Sequence, residues 1–176
     1  MPTGVLIGYR CSGKTTLGRL VAHRLGMEFV DTDRLVENHA GLSIEEMIPR
    51  EGWGYFRQME KAVITELSQR KGLVIATGGG VVLDEGNVEQ LRKKGWLVWL
   101  RTGAHVIRER MRQQWSQGKI RPSLTGAGSL EEIETILKQR SPLYEKAADL
   151  VLDVDTLPIE DATEALIRAY LNHTKG

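Results

Sequence analysis

The chain has 176 residues, of which 41% are hydrophobic and 27% charged, a composition typical of an ordinary globular protein. Twenty-four Lys and Arg against 23 Asp and Glu leave a formal net charge of +1, which argues against a dedicated nucleic-acid-binding protein. The single cysteine excludes an intramolecular disulfide and a cysteine-rich zinc site. No segment approaches the roughly 18 apolar residues that span a bilayer, so we expect a cytoplasmic protein without membrane contact.

Short apolar runs predict five strands separated by helices. Between the runs, apolar residues recur at spacings of three and four, which is typical of amphipathic helices. Short buried strands that alternate with helices predict an α/β fold with a mostly parallel sheet covered on both faces, and residues 1–176 are expected to form one domain. The predicted strands are Val5–Gly8, Glu28–Asp31, Leu73–Ala76, Leu97–Leu100 and Leu150–Asp153.

Three helix starts are predicted from local signals. Ser43 followed by Glu46, and Ser129 followed by Glu132, have the spacing of a capping box, in which each side chain bonds the other's backbone N–H. The last helix is expected to begin near Pro158.

The segment GYRCSGKT, residues 8–15, has the pattern of a phosphate-binding loop. A loop of this kind between a strand and a helix points several backbone N–H groups into one concavity, where the helix dipole favours an anion. Gly8 and Gly13 permit the tight turn. In this pattern Lys14 reaches the β- and γ-phosphates and the Thr15 hydroxyl coordinates Mg²⁺. The sequence therefore predicts binding of ATP with magnesium.

Cys11 lies inside this loop and has two interpretations. A thiol at a helix N-terminus beside Lys14 is expected to react readily, so its oxidation or alkylation would inhibit and ATP would protect. The alternative is a small residue that only lines the loop.

Polar or glycine-rich segments follow the carboxyl ends of the first four predicted strands. The phosphate loop follows the first, Asp31-Thr32-Asp33 the second, Gly78-Gly79-Gly80 the third, and a helix with Arg108 and Arg110 the fourth. Ligands of open parallel sheets bind beyond the carboxyl ends of the strands. This arrangement predicts a site for two substrates at one edge of the sheet.

Asp31 and Asp33 lie two positions apart in an extended segment, so both carboxylates can point to one side. One can lie near magnesium-bound water, and the other can accept a hydrogen bond from a substrate hydroxyl and help to remove its proton. The alternative is that either caps the following helix. Gly78–Gly80 either allow close approach of the backbone to a ligand or form a tight turn.

Two arginines are candidates for binding a carboxylate. Arg57 and Glu60 are three positions apart on a predicted helix. Glu60 can hold Arg57 in place for bidentate bonds to a bound acid. The alternative is that the two residues form only a solvated pair. Arg140, next to Ser141-Pro142, has the same two interpretations. The irregular segment from Gln113 to Gly128 is either a mobile lid over ATP or a plain surface connection. A lid also explains the basic residues between Arg101 and Arg121 better than nucleic-acid binding does.

The chain resembles the shikimate kinases over nearly its whole length. The segments that carry the resemblance occur in the family's order and with similar spacing: GYRCSGKTT, FVDTDRLVE, YFRQMEKAVI, ATGGGVV, RPSL and RSPLY. The resemblance implies a P-loop kinase of three α/β/α layers, with a five-stranded parallel sheet in the order 2-3-1-4-5. It also implies transfer of the γ-phosphoryl group of ATP, with Mg²⁺, to the 3-hydroxyl of shikimate in aromatic amino-acid biosynthesis. An acceptor-binding segment is expected at about 33–61 and a lid at about 113–128, and the protein is expected to be a monomer.

The resemblance also assigns individual roles. Asp33 would contact the acceptor hydroxyl, Asp31 would act through magnesium-bound water together with Thr15, and Arg110 would lie against adenine. The residues implied for catalysis are Lys14, Asp33 and Arg121, the last reaching over the phosphates from the lid. Those implied for ATP are Cys11, Ser12, Gly13, Lys14, Thr15, Thr16, Arg110 and Arg121. Those implied for shikimate are Asp33, Arg57, Gly78, Gly79, Gly80 and Arg140.

Two positions depart from the family pattern. Family members usually have Gly at the position of Cys11, and many have Glu at that of Trp53. The residues alone also permit another small-molecule kinase, such as a gluconate or nucleotide kinase, or a non-catalytic nucleotide-gated module. The Asp-x-Asp and Phe-Arg patterns favour shikimate kinase over the first alternative.

Overall fold

The computed structural model describes residues 2–118 and 122–175. Its five strands form one sheet in the order β2-β3-β1-β4-β5, and all four neighbouring pairs are parallel. The predicted α/β class and strand order are therefore confirmed. Two strands extend beyond the predicted apolar runs: β1 begins earlier, and β4 is longer at both ends. The strands are β1 Thr3–Ile7, β2 Glu28–Asp31, β3 Leu73–Ala76, β4 Gly95–Arg101 and β5 Leu150–Asp153.

Helices cover both faces of the sheet, giving the predicted three layers. Val5 and Ile7 of the central strand pack into one apolar core with residues of α2, α3 and α6, whereas Leu6 packs into a second core with α1 and α7. This division follows from the alternation of side chains along a strand. The helices are α1 Lys14–Leu25, α2 Thr32–Ala40, α3 Ile44–Leu67, α4 Glu85–Arg92, α5 Ala104–Ser116, α6 Ile133–Ala147 and α7 Ile159–His173, with a short 3₁₀ turn at Val81–Leu83.

Helix α3 begins as the sequence predicts and then bends. The Ser43 side chain accepts a hydrogen bond from the Glu46 N–H, and the Glu46 carboxylate accepts one from the Ser43 N–H. This capping box is confirmed. At Gly52 the backbone leaves helical geometry, with φ 79° and ψ 172°. The helix therefore changes direction at Gly52, and the second half contains Trp53 and Arg57.

The second predicted capping box is wrong. Helix α6 begins at Ile133, and its N-cap residue is Glu132 rather than Ser129. The Glu132 carboxylate accepts hydrogen bonds from Leu124 and Thr125 instead of folding back onto its own helix. Helix α5 also runs to Ser116, so the first four residues of the predicted irregular segment, 113–116, are helical. Tertiary hydrogen bonds here override a local signal.

Within residues 2–118 and 122–175, no helix combines the length and apolar character required to cross a membrane.

Two glycine substitutions should separate close packing from helix propensity. A Cβ at Gly95 would lie 2.5 Å from the Leu91 carbonyl oxygen and 2.9 Å from a Val5 methyl carbon, whereas a Cβ at Gly54 would meet no described atom within 4 Å apart from its chain neighbours and its own helix backbone. We expect Gly95→Ala to lower the free energy of unfolding by about 1–3 kcal/mol because of overpacking. Gly54→Ala should raise it by up to about 1 kcal/mol.

Urea unfolding followed by circular dichroism measures both changes. Equal unfolding midpoints for Gly95→Ala and the parent chain would contradict the packing around β4.

Candidate active site at the carboxyl edge of the sheet

The phosphate loop joins the end of β1 to the start of α1 through two glycines with left-handed backbone. Gly8 and Gly13 have φ of 143° and 94°, a region that favours glycine. A Cβ on Gly8 would lie 2.8 Å from the Leu100 carbonyl oxygen, so a larger residue cannot turn this close to β4. Because Gly13 is the N-cap of α1, the cap residue has no side chain to cover the first-turn N–H groups. The loop is therefore suited to an anion.

Lys14 is folded over this loop and is almost buried, with 8% of its surface exposed. Its ammonium donates to the carbonyl oxygens of Gly8 and Tyr9 at 2.7 and 2.6 Å, and to Ser12 Oγ at 3.2 Å. These bonds fix the cation on the loop. A phosphate placed against the N–H groups of the loop would meet this charge.

Cys11 has a left-handed conformation, with φ 62°, and no other described non-glycine residue has a positive φ. This conformation costs an L-residue roughly 1–2 kcal/mol relative to glycine, which adopts it without a steric penalty. Arg110 donates to the Cys11 carbonyl oxygen at 2.9 Å, and the Cys11 thiol lies 3.4 Å from Gln114 Oε1. The backbone at Cys11 thus has the left-handed conformation that glycine usually adopts. The redox hypothesis for Cys11 stays a prediction.

Thr15 and Asp31 form a hydroxyl–carboxylate pair beside the loop. Thr15 Oγ1 donates to Asp31 Oδ2 at 2.8 Å, and Asp31 Oδ1 accepts from the Asp33 N–H at 3.1 Å. The carboxylate that caps α2 is therefore Asp31, whereas Asp33 lies in the first turn. The pair offers oxygen donors, which suit Mg²⁺ when phosphates and water complete its shell. Among residues 2–118 and 122–175, no group of three His, Cys, Asp or Glu could hold a metal unaided.

Asp33 and Glu60 approach the first residue of the triple glycine from two sides. A Cβ on Gly78 would lie 2.8 Å from Asp33 Oδ1 and 2.8 Å from Glu60 Oε2, so close approach explains this glycine. The Gly78 N–H donates to Thr32 Oγ1 at 3.0 Å. The Gly78 N–H is therefore already bonded within the protein, and the contact of Gly78 with shikimate stays a prediction. Gly79 lies against the loop, because a Cβ there would be 3.4 Å from the Gly8 carbonyl oxygen.

Arg57 is held in place by three side chains of its own helix. Its guanidinium bonds Glu60 at 2.7 Å and lies over the rings of Trp53 and Phe56, at 5.6 and 5.2 Å from their centroids. Glu60 is only 1% exposed, so the interpretation as a solvated pair is wrong. Burial raises the pKa of the Glu60 carboxyl, and the Arg57 charge opposes this rise. Over Gly80 the guanidinium occupies the space that a Cβ would need.

Arg140 is a second guanidinium in the same cavity as Arg57, and it is buried, with 6% of its surface exposed. Beside it, the Tyr144 hydroxyl donates to the Gly79 carbonyl oxygen. Burial raises the pKa of Tyr144 to about 12, and the Arg140 charge opposes this rise. Tyr144 stays protonated and fixes the triple-glycine turn. The spacing arguments did not identify Tyr144, although it ends the RSPLY segment.

One cavity of about 200 Å³ brings most of the predicted residues together. A neighbouring cavity shares Cys11, Ser12, Gly13 and Thr16 with it and adds Arg110 and the apolar side chains of Leu17, Val154 and Leu157. Four further wall residues of the first cavity were not named individually as site residues from the sequence, although they fall within the predicted acceptor segment and lid: Trp53, Phe56, Pro122 and Leu124. The predicted members of this cavity are Cys11, Ser12, Gly13, Lys14, Thr15, Thr16, Asp31, Asp33, Arg57, Gly78, Gly79, Gly80 and Arg140.

The arginines near the end of β4 have different environments. Arg101 is paired with Asp153 at 2.5 Å, and Arg108 with Glu134 at 3.2 Å, so both are partly neutralised on the surface. Arg110 lines the second cavity, as expected for a residue near a nucleotide base. Arg121 lies outside the described residues, and its role stays a prediction.

Comparison with known proteins agrees with this geometry. The family model described as shikimate kinase matches residues 10–170. A shikimate kinase of Caldanaerobacter subterraneus is 42% identical over 167 residues, which cover 95% of each chain. One from Syntrophus aciditrophicus is 39% identical, covering 94% of this chain and 89% of the relative.

Solved structures give the same result. A shikimate kinase from Acinetobacter baumannii, in complex with shikimate, superposes with a TM-score of 0.88 at 32% identity, covering 98% of this chain and 94% of that one. Shikimate kinase from Aquifex aeolicus superposes with a TM-score of 0.81 at 31% identity, covering 98% of each. The match therefore extends over nearly the whole length of each relative, and the chain belongs to the shikimate kinase family.

Proposed function

We propose that this protein is a shikimate kinase, which transfers the γ-phosphoryl group of ATP to the 3-hydroxyl of shikimate. The observation that supports this most is the cavity in which Lys14 of the phosphate loop lies together with Asp33, Arg57 and Arg140. The cavity thus joins a phosphate site to two guanidinium groups, of which Arg140 is buried and Arg57 partly exposed, and one carboxylate. That combination fits an acceptor with both an acid group and a hydroxyl.

On the acceptor side, Arg57 and Arg140 bind the carboxylate of shikimate. A guanidinium fork forms two parallel charge-assisted bonds with a carboxylate, which orients a ring as well as holding it. The Arg57 fork is already ordered by Glu60 and Trp53, so little side-chain entropy is lost on binding. Gly79 and Gly80 contribute backbone donors at the turn that Tyr144 fixes.

On the phosphate side, Lys14 and the loop N–H groups bind the β- and γ-phosphates. Thr15 and Asp31 would hold Mg²⁺, Asp31 through water, and the ion would supply positive charge where the phosphates carry negative charge. Asp33 accepts the hydrogen bond of the 3-hydroxyl and takes its proton as the phosphoryl group arrives. Such transfers depend mostly on positioning and charge neutralisation. A monomeric state and a cytoplasmic location stay predictions.

A panel of acceptors tests the proposal against its rivals. We expect multiple turnovers of ATP with shikimate and only background ADP release with gluconate or nucleoside monophosphates. ADP release in a coupled assay, with chromatography of the phosphorylated product, provides the measurement. Turnover with gluconate or a nucleotide instead would identify a different kinase, and binding of ATP without turnover on any acceptor would favour a nucleotide-gated module.

Gly80→Ala tests the carboxylate site without removing a charge. The new Cβ would lie 2.1 Å from Arg57 Nη2, the movable end of a side chain, so the guanidinium should shift while the fold is kept. One lost charge-assisted bond corresponds to about 1.5–3 kcal/mol. We expect KM for shikimate to rise roughly tenfold to a hundredfold, with KM for ATP unchanged.

Arg57→Ala is the reference, because it removes the guanidinium entirely and should raise KM for shikimate at least as much. Unchanged KM for shikimate in both variants would contradict the carboxylate assignment.

Arg121→Ala tests the proposed charge from the lid. If Arg121 stabilises the transferring group as an arginine finger does, kcat should fall by about 10³. Arg108→Ala is the matched control, since Arg108 pairs with Glu134 on the surface, and it should keep kcat. A loss below about tenfold for Arg121→Ala would remove this residue from the transition state.

A further inference from the structure

The Glu132 carboxylate is buried beneath the chain segment that follows Arg121. Only 2% of the residue is exposed. Its oxygens accept hydrogen bonds from the N–H groups of Leu124 and Thr125, each at 2.9 Å. The hydroxyls of Ser123 and Thr125 donate to it as well, at 2.8 and 2.9 Å. Four donors from three consecutive residues therefore converge on one side chain.

These donors keep Glu132 ionised. Burial raises the pKa of the carboxyl, but the hydrogen bonds from Leu124, Ser123 and Thr125 together outweigh burial and leave the pKa below its ordinary range. Ser123 Oγ in turn accepts from the Gly126 N–H at 2.9 Å and the Gly128 N–H at 3.3 Å. A single anion thus organises the backbone of residues 123–128, where no helix or strand provides hydrogen-bond partners.

The segment is also held by the phosphate loop. Arg10 of the phosphate loop donates through Nη1 to the Pro122 carbonyl oxygen at 2.9 Å. Pro122 and Leu124 line the cavity that contains Arg57 and Arg140. The residues fixed by Glu132 and Arg10 are therefore an apolar wall of the acceptor cavity.

We propose that Glu132 is a positioning residue for phosphoryl transfer, which acts by holding Pro122 and Leu124 against the acceptor so that water does not reach the γ-phosphate. The inference rests on the proposed function. It gives a role in the reaction to Glu132, which neither motif spacing nor the cavity lining identified as a site residue. With the wall in place, the bond from the γ-phosphorus to its bridging oxygen breaks as a bond to the shikimate hydroxyl oxygen forms.

With the wall displaced, a water oxygen takes the place of that hydroxyl. The products are then ADP and inorganic phosphate, and the water proton passes to solvent.

Glu132→Gln tests the proposal, because it keeps the size of the side chain but puts an amide in place of the anion. We expect KM for shikimate to rise about tenfold or more, KM for ATP to change less than twofold, and the ratio of ADP to shikimate phosphate to rise clearly above one. Glu131→Gln is the matched control, since this neighbouring carboxylate is exposed, and it should behave like the parent protein.

If Glu132 only stabilised the fold, Glu132→Gln would lower the melting temperature without changing the product ratio. The product ratio therefore distinguishes a positioning role from a structural one. If Glu132→Gln fails to fold, the double variant Ser123→Ala, Thr125→Val removes two hydroxyl donors and keeps the anion. It should change the same two quantities in the same direction.

If the parent protein phosphorylates shikimate but the folded variants keep its KM and product ratio, the inference is overturned. A parent protein that fails to phosphorylate shikimate would contradict the proposed function instead.

Discussion

The parallel pairing of β1 with β3 and β4 is the constraint on which the site depends. Leu6 is in register with Ala76 on one side and Val98 on the other, so the three strands end at the same edge. Thr77 secures this edge, since its N–H and hydroxyl both donate to the Leu6 carbonyl oxygen, at 3.1 and 3.0 Å. The phosphate loop and the triple glycine are therefore neighbours before any ligand arrives.

The buried carboxylate of Glu60 limits which substitutions this site tolerates. Glu60 has one oxygen paired with Arg57, and its other oxygen has no hydrogen-bond partner among the described residues. Removing one member of a buried pair leaves an uncompensated charge, which costs more than the pair itself contributes. Arg57 and Glu60 are thus coupled: the carboxylate that orders the guanidinium is also stabilised by it. Trp53 and Phe56 complete this preorganised arrangement.

Much of this architecture could be predicted from local sequence. The strands β2, β3 and β5 coincide with short apolar runs, and the phosphate loop has glycines at two of its three positions with positive φ, Cys11 being the third. The Ser43 capping box also depends only on neighbours in sequence. Asp31 and Asp33 were expected at the site, but which one caps α2 depends on the direction of the chain after β2, which the spacing did not fix.

Several interpretations failed because they depended on contacts beyond a single helix or strand. Ser129 and Glu132 have capping-box spacing, yet the Glu132 carboxylate bonds to residues 123–125. Tyr144 and the apolar wall at Pro122 and Leu124 were missed for the same reason, because their roles depend on contacts across the cavity. Periodicity and motif spacing describe single elements. They contain no direct information about which elements meet.

The central claim is that nucleotide and acid occupy one cavity at the carboxyl edge of the sheet. The most direct measurement is a crystal structure with ADP and shikimate bound together. The account predicts the diphosphate against the loop of Lys14, the shikimate carboxylate between Arg57 and Arg140, and a ring hydroxyl within hydrogen-bond distance of Asp33. Shikimate bound at another face of the protein, away from the phosphates, would contradict it.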